Sequence, residues 1–103
     1  MATMHLSPRD KARDATEAER LEQLPNIGPS IAADLRSIGV LHPAELAGRD
    51  AFELYQALQH ATGRRQDPCV LDTFLAATDF MRGAPRKPWW AYTAERKARF
   101  GAV

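Results

Sequence analysis

Apolar residues recur at helical spacing along most of the chain, and no stretch alternates apolar and polar residues between turn signals as a strand does. The clearest stripe follows Pro68, where apolar side chains repeat at i, i+3 and i+4 and so share one face of a helix. The stripe comprises Val70, Leu71, Phe74, Leu75, Thr78 and Met81. The pattern predicts an all-α protein in which this helix carries most of the core.

Cap and turn residues divide the chain into five predicted helices. The first is expected to be firm over residues 17–24, after a polar stretch in which Ser7 is a candidate helix cap. The other four begin at proline or aspartate and end at glycine. Their predicted limits are Pro29 and Gly39, Pro43 and Gly48, Asp50 and Gly63, and Asp67 and Gly83. Residues 91–100 have the composition of one further helix.

Charge is unevenly spread, although the formal net charge is only +1. Residues 24–81 contain four basic and seven acidic residues, whereas residues 82–103 contain six basic residues and one acidic residue. We therefore predict a polar, partly helical segment over 1–16, a helical domain over 17–82 and a basic, tryptophan-containing tail over 83–103. The acidic middle argues against strong DNA binding by that part through charge alone.

Composition also limits where the protein can act. No apolar run approaches the length of about 18 residues that a membrane-spanning helix needs, so we expect no membrane partner. The first residues lack the apolar middle of a secretory signal. Cys69 is the single cysteine, which excludes an internal disulfide and fits a reducing compartment. These features predict a cytoplasmic protein.

The stretch "LPNIGPS" predicts a tight turn between two helices. Pro25 ends the first helix and Pro29 is preset for the first turn of the second. Asn26 and Gly28 are the residues expected to take positive φ. The first N–H groups of a helix lack intrahelical partners and carry the positive end of its dipole. The turn therefore predicts an anion site.

The longer stretch "LEQLPNIGPSIAADLRSIGV" resembles the helix-hairpin-helix motif of DNA polymerases, ligases, glycosylases and repair nucleases. The resemblance implies a SAM-like domain with one such motif, whose hairpin amides bind a DNA phosphate without reading sequence. It carries those amides over to Asn26, Gly28, Ser30 and Ile31. It also implies a potassium or sodium ion held by the carbonyl groups of Glu22, Leu24 and Ile27. Asn26 stands where the motif usually has glycine.

A wider resemblance covers roughly residues 17–92. The order of "LPNIG", "AADL", "ELAGRDAFELY", "DPCVLDTFLAA" and "KPWW" is similar to a family of small bacterial helix-hairpin-helix proteins known as "pathogenicity locus". Pro68 and Asp72 depart from the family's usual residues. The residues that keep them are Asp67, Cys69, Val70 and Leu71. The resemblance implies a fold and brings no enzymatic activity with it.

The tail combines aromatic and basic residues in a way that is typical of segments that stack on bases and follow phosphates. Its aromatic residues are Trp89, Trp90 and Tyr92. The basic residues that we expect to contact nucleic acid are Arg86, Lys87, Arg96 and Lys97. Because two adjacent exposed tryptophans would reduce solubility, we expect at least one of them to pack on the core.

No combination of residues in the sequence indicates an enzyme. Cys69 has no histidine nearby in sequence to act as its base, and it is expected to be a small core residue. His42 and Glu45 are explained as residues of a helix start rather than as metal ligands. We therefore expect a non-enzymatic, sequence-independent DNA-binding module, accessory to DNA repair or recombination. The alternative is a protein-interaction or dimerisation adaptor that keeps the fold without binding DNA.

Overall fold

A computed structural model describes residues 10–101 and Val103, and over these residues the protein is all-α, as predicted. The described residues form four α-helices and four short 3-10 turns, and no strand occurs among them. The helices are α1 (Pro29–Ser37), α2 (Ala51–Thr62), α3 (Pro68–Met81) and α4 (Thr93–Phe100). The 3-10 turns are Ala15–Glu17, Leu21–Gln23, Pro43–Gly48 and Trp89–Tyr92. Over this part of the chain no helix has the length and apolar character needed to cross a membrane. Ser7, the candidate first cap, lies outside the described residues.

The helix limits confirm the cap residues predicted for the middle of the chain. The carboxylate of Asp50 accepts a hydrogen bond from Glu53 N at 3.0 Å, and that of Asp67 accepts one from Cys69 N at 3.0 Å. Gly63 ends α2 at φ 66°, a left-handed conformation that suits glycine. These ends are set by contacts within a few residues, which is why the sequence predicts them.

The predicted third helix is a 3-10 turn held by its own first residues. His42 Nδ1 accepts a hydrogen bond from Ala44 N at 3.0 Å. Glu45 Oε2 accepts from Leu41 N at 2.9 Å and from His42 N at 2.6 Å. The two side chains are therefore used as caps, in line with the sequence interpretation.

The prediction of a first helix over residues 17–24 is wrong. The structure has only the turns Ala15–Glu17 and Leu21–Gln23 there. The side chain of Gln23, 3% exposed, accepts hydrogen bonds from Glu19 N at 2.8 Å and Arg20 N at 2.9 Å. Its backbone carbonyl accepts one from Ala12 N at 2.8 Å. The Gln23 side chain thus caps the short turn Leu21–Gln23 from within the stretch, and Ala12, which lies outside it, bonds to the Gln23 carbonyl. These contacts stabilise a 3-10 turn in place of the α-helix that the residue propensities favour.

The core is centred on α3, most of whose residues are buried. Helices α2 and α4 and the turns Pro43–Gly48 and Trp89–Tyr92 pack around it. Tyr55, Phe74 and Phe80 are the largest fully buried side chains. This central position confirms the prediction that the helix after Asp67 carries most of the core.

Part of the predicted tail also belongs to the core. Tyr92 is 5% exposed, and the ring of Phe100 stacks on that of Phe52 with centroids 4.6 Å apart. Trp89 and Trp90 are both exposed, at 36% and 64%. The expectation that a tryptophan packs on the core is therefore wrong. Tyr92 is instead the buried aromatic residue of this turn, and its hydroxyl group interacts with Asp79 of α3.

Candidate nucleic-acid interface at the hairpin

The turn between Leu24 and Pro29, called the hairpin below, takes its left-handed residue from Asn26 and not from Gly28. Asn26 has φ 70° and is the one non-glycine residue with positive φ among those described. Gly28 has φ −93° and ψ −176°, an extended conformation open to any residue. The expectation of positive φ at Gly28 is therefore wrong. A Cβ placed on Gly28 would meet nothing within 4 Å, so no contact within the described chain requires glycine there.

The start of α1 presents backbone N–H groups at the surface. The first hydrogen bond of the helix runs from Ala32 N to Gly28 O at 2.9 Å. The N–H groups of Ser30 and Ile31 precede it and have no acceptor within the helix, and Pro29 has no N–H. Pro29 and Ser30 are exposed. This end of α1 can therefore accept an anion from solvent.

The side chain of Asn26 joins the hairpin to residues 83–90, which we call the strap. Asn26 Nδ2 donates to Lys87 O at 2.8 Å, and Asn26 Oδ1 accepts from Trp89 N at 3.3 Å. A surface depression at this junction is lined by Pro25, Asn26, Arg86, Lys87 and Pro88. Residues that are about sixty positions apart in the sequence thus form one surface, which contains three of the predicted nucleic-acid contacts.

One buried and two exposed aromatic rings accompany the charges of the strap. Lys87 Nζ lies 5.8 Å from the centroid of the buried Tyr92 ring, and the exposed rings of Trp89 and Trp90 meet edge to face at 5.6 Å. Trp90 is the more exposed of the two tryptophans. An exposed ring next to cations is suited to stacking on an unpaired base.

Arg96, a predicted nucleic-acid contact, has a structural partner instead. Its Nε lies 2.8 Å from Oδ1 of Asp72, whose side chain is fully buried, while the Arg96 side chain is 11% exposed. Thr93 Oγ1 donates to the other Asp72 oxygen at 2.8 Å. The hydrogen bond to Asp72 raises the pKa of Arg96 above its usual value. We therefore leave Arg96 out of the candidate surface.

The remaining basic residues of the tail divide into bonded and exposed groups. Arg82 donates to Ala47 O at 3.0 Å and to Arg49 O at 2.5 Å, and so fastens the end of α3. Arg99 pairs with Glu95 at 2.7 Å. Arg86, Lys87 and Lys97 are exposed. Fewer cations are thus available to a ligand than the charge of the tail suggests.

Beneath the hairpin, the three predicted carbonyl ligands do converge, and they converge on a lysine. Lys11 Nζ donates to Glu22 O at 2.7 Å, to Leu24 O at 3.0 Å and to Ile27 O at 2.7 Å. Burial lowers the pKa of Lys11 and the Glu22 carboxylate opposes this shift. Three acceptors match the three N–H groups of an ammonium ion, one more than a neutral amine offers. Sequence reasoning missed Lys11 because it lies outside the motif.

The Glu22 carboxylate is directed elsewhere. It forms two hydrogen bonds with the guanidinium of Arg36, at 2.7 and 2.9 Å, so that the backbone carbonyl and the side chain of Glu22 serve different cations. The bond from Arg36 is the main reason that the pKa of Glu22 falls to about 2. This ion pair links the turn before the hairpin to α1.

Cys69 shows no sign of activation. It is partly buried near the start of α3, and burial, followed by the neighbouring Asp67 carboxylate, raises the pKa of its thiol. A raised pKa keeps the thiol protonated, which is the unreactive form. Over residues 10–101 and Val103, histidine, cysteine and acidic side chains form no group of three that could hold a metal ion.

Comparison with known proteins identifies the family. The model of the Cdd1 family, described as "Pathogenicity locus", matches residues 14–98, a range that includes the hairpin, α1–α3 and the strap. The mitomycin resistance protein McrB of Streptomyces lavendulae is 43% identical over 83 residues, which cover 81% of this chain and 79% of that protein. No solved structure matches the chain. The match over these elements confirms the family resemblance seen in the sequence, and the chain belongs to the pathogenicity locus family.

Proposed function

We propose that the protein is a non-enzymatic helix-hairpin-helix module that binds the DNA backbone without reading its sequence. One phosphate is bound by the N–H groups at the start of α1, and Arg86 and Lys87 of the strap contact neighbouring phosphates. The observation that carries the proposal is the pair of hydrogen bonds from Asn26 to the strap, which holds these two cations beside the hairpin. Trp90, on the same strap, is exposed and available to an unpaired base.

The chemistry of the surface favours phosphate over base edges. Backbone N–H groups and lysine or arginine side chains are the usual partners of phosphate oxygens, and such contacts position a protein without specifying sequence. Gly28 also supports the proposal, because a Cβ at this position would meet no atom of the described chain within 4 Å. The space beside the Gly28 backbone is therefore open to a phosphate.

Salt dependence of DNA binding tests the proposal. We would measure fluorescence anisotropy of a short labelled duplex and of a matching single strand over a series of potassium chloride concentrations. Replacing Arg86 and Lys87 together by alanine should flatten the slope of log K against log salt by up to about 1.8 for the duplex and about 1.4 for the single strand.

A matched control keeps the change in charge and moves it away from the strap. Arg64 and Arg65 form another adjacent, exposed pair, and they line a different depression next to Phe52. Replacing both by alanine should leave the slope close to that of the wild type. Equal slopes for the strap variant and the control would remove the strap from the interface. Wild-type protein that binds no DNA at low salt would refute the proposal as a whole.

A second candidate, a protein-interaction or dimerisation adaptor, is favoured by exposed apolar side chains. Leu41 is 69% exposed and Trp90 is 64% exposed. Analytical ultracentrifugation at increasing concentration distinguishes the two candidates. Self-association that Trp90→Ala abolishes, without DNA binding by the wild type, would favour the adaptor.

The name of the McrB relative adds a cellular readout. That protein is named for resistance to mitomycin. We propose that the present chain also supports growth on mitomycin, as an accessory factor in DNA repair or recombination. A host without the gene should regain growth with wild-type protein and with the Arg64–Arg65 control, but not with the strap variant.

A further inference from the structure

The ammonium group of Lys11 is held in a way that is unusual for a surface lysine. All three of its N–H donors are used by backbone carbonyls of a single six-residue stretch, from Glu22 to Ile27. Carbonyl oxygens that point at one spot repel each other unless a cation lies between them. The hairpin therefore needs a positive charge at this place in order to keep its shape.

The neighbouring residue fixes Lys11 in position. Ala12 is fully buried, and its N–H donates to Gln23 O at 2.8 Å. The stretch that carries Lys11 is thus bonded to Gln23, which lies between Glu22 and Leu24, two of the residues that supply the carbonyls. The backbone beside Lys11 is therefore already ordered next to the hairpin, and only the rotamers of the Lys11 side chain are fixed by the three hydrogen bonds.

We propose that Lys11 is a tethered cation, which takes the place of a monovalent metal ion under the hairpin and holds its three carbonyl groups together. The carbonyl groups of Glu22, Leu24 and Ile27 are chemically suited to potassium or sodium, as the helix-hairpin-helix resemblance implies. In this chain, however, the same oxygens are bonded to the ammonium. The hairpin then needs no metal ion, and removal of the amine creates a site for one.

Thermal unfolding in different chloride salts tests this inference without DNA, so its outcome is separate from that of the proposed function. Potassium, sodium and choline chloride are compared at equal ionic strength. The melting temperature of the wild type should be the same in all three salts. Lys11→Ala should melt lower in choline and recover in potassium. Above its dissociation constant, each tenfold rise in potassium should raise the melting temperature by roughly 5–11 °C.

Arg13→Ala is the matched control, because it removes one positive charge two residues away. Arg13 pairs with Glu17 at the surface and contacts none of the three carbonyls. Its melting temperature should not distinguish potassium from choline. A difference between salts that appears equally in the control would be an ordinary ionic effect and would contradict the proposal.

A direct search for the ion completes the test. Crystals soaked in rubidium chloride should show an anomalous peak among the three carbonyls in Lys11→Ala and none in the wild type. A rubidium peak at this place in the wild type would overturn the proposal. A Lys11→Ala protein that stays unfolded in every salt, or that is folded and indifferent to potassium, would overturn it as well, because a metal ion then cannot replace the ammonium.

Discussion

Loss of Arg96 should destabilise the fold through the carboxylate that it leaves behind. Asp72 is fully buried on α3, and its two oxygens are bonded by Arg96 and Thr93 of the last helix. Replacing Arg96 by methionine keeps most of the apolar stem and removes the charge. The Asp72 carboxylate then stays buried with only the Thr93 hydroxyl as a partner.

Breaking a buried ion pair on one side costs about 3–5 kcal/mol. A domain of this size has a free energy of unfolding of about 5–15 kcal/mol, so Arg96→Met should remove a large share of it. With a shift of about 4–8 °C for each kcal/mol, the melting temperature should fall by at least about 12 °C. Lys97→Met is the matched control, since Lys97 is the adjacent, exposed cation of α4. Its melting temperature should change by about 2–4 °C at most, because surface substitutions usually change the free energy of unfolding by about 0.5 kcal/mol or less.

The double variant Asp72→Leu with Arg96→Met distinguishes a buried charge from lost packing. Replacing a whole buried pair by apolar residues is often neutral or stabilising, so the double variant should recover most of the loss. The assay is calorimetry or chemical denaturation of all variants at one pH. If Arg96→Met melts within about 4 °C of the wild type, a change that corresponds to at most about 1 kcal/mol, Asp72 is not held in the fold by this pair. If the double variant is no more stable than the single one, the cost arises from packing instead.

Three further predictions follow from the hairpin and from Tyr92. Gly28→Ala should lower the free energy of unfolding by less than about 1 kcal/mol, because φ −93° suits alanine and the added Cβ meets nothing within 4 Å. The same variant should bind the duplex more weakly, and unchanged anisotropy titrations would show that no phosphate approaches Gly28. Asn26→Gly keeps the positive φ and loses both hydrogen bonds to the strap, so amide hydrogen exchange at Trp89 should become faster. Exchange in α3 should stay as in the wild type, and unchanged slow exchange at Trp89 would contradict the role of Asn26. Burial raises the pKa of Tyr92 to about 12, so its contribution to stability is complete below pH 10 and is lost as the pH rises through 12. The free energy of unfolding should fall by at most about 2–3 kcal/mol over this range. If Tyr92→Phe loses stability as steeply as the wild type from pH 9 to 12, the loss does not come from ionisation of Tyr92.

Local signals in the sequence account for most helix limits. The caps Asp50 and Asp67 and the left-handed Gly63 act on residues within one turn, so their types and spacing alone predict them. The stripe on α3 is equally local, since helical periodicity places its members on one face. The first predicted helix fails for the opposite reason. Ala12, which lies outside residues 17–24, donates a hydrogen bond to the Gln23 carbonyl, and no pattern within those residues indicates this contact.

Only the local part of the candidate site can be predicted from the sequence, because its other residues are brought to it by tertiary packing. The hairpin is a local motif, so Asn26 and the start of α1 could be located by residue type. The partners of this hairpin are remote in the chain: Lys11 reaches it from before, and Lys87 reaches it from 61 positions later. Arg96 is included among the predicted contacts because an arginine in a basic segment resembles any other until the buried Asp72 is found beside it. Which charges are paired inside and which face solvent is decided by tertiary packing.

The build of the strap has a consequence for the thermodynamics of binding. Arg86 and Lys87 are enclosed by Pro85 and Pro88, whose rings fix φ, and the strap is tied at one end to α3 and at the other to the buried Tyr92. The backbone that carries the two cations is therefore preorganised, and little backbone entropy remains to be lost when phosphates bind. The affinity of this surface should follow the release of counterions from DNA, with only a small change in heat capacity, since no segment has to fold upon contact.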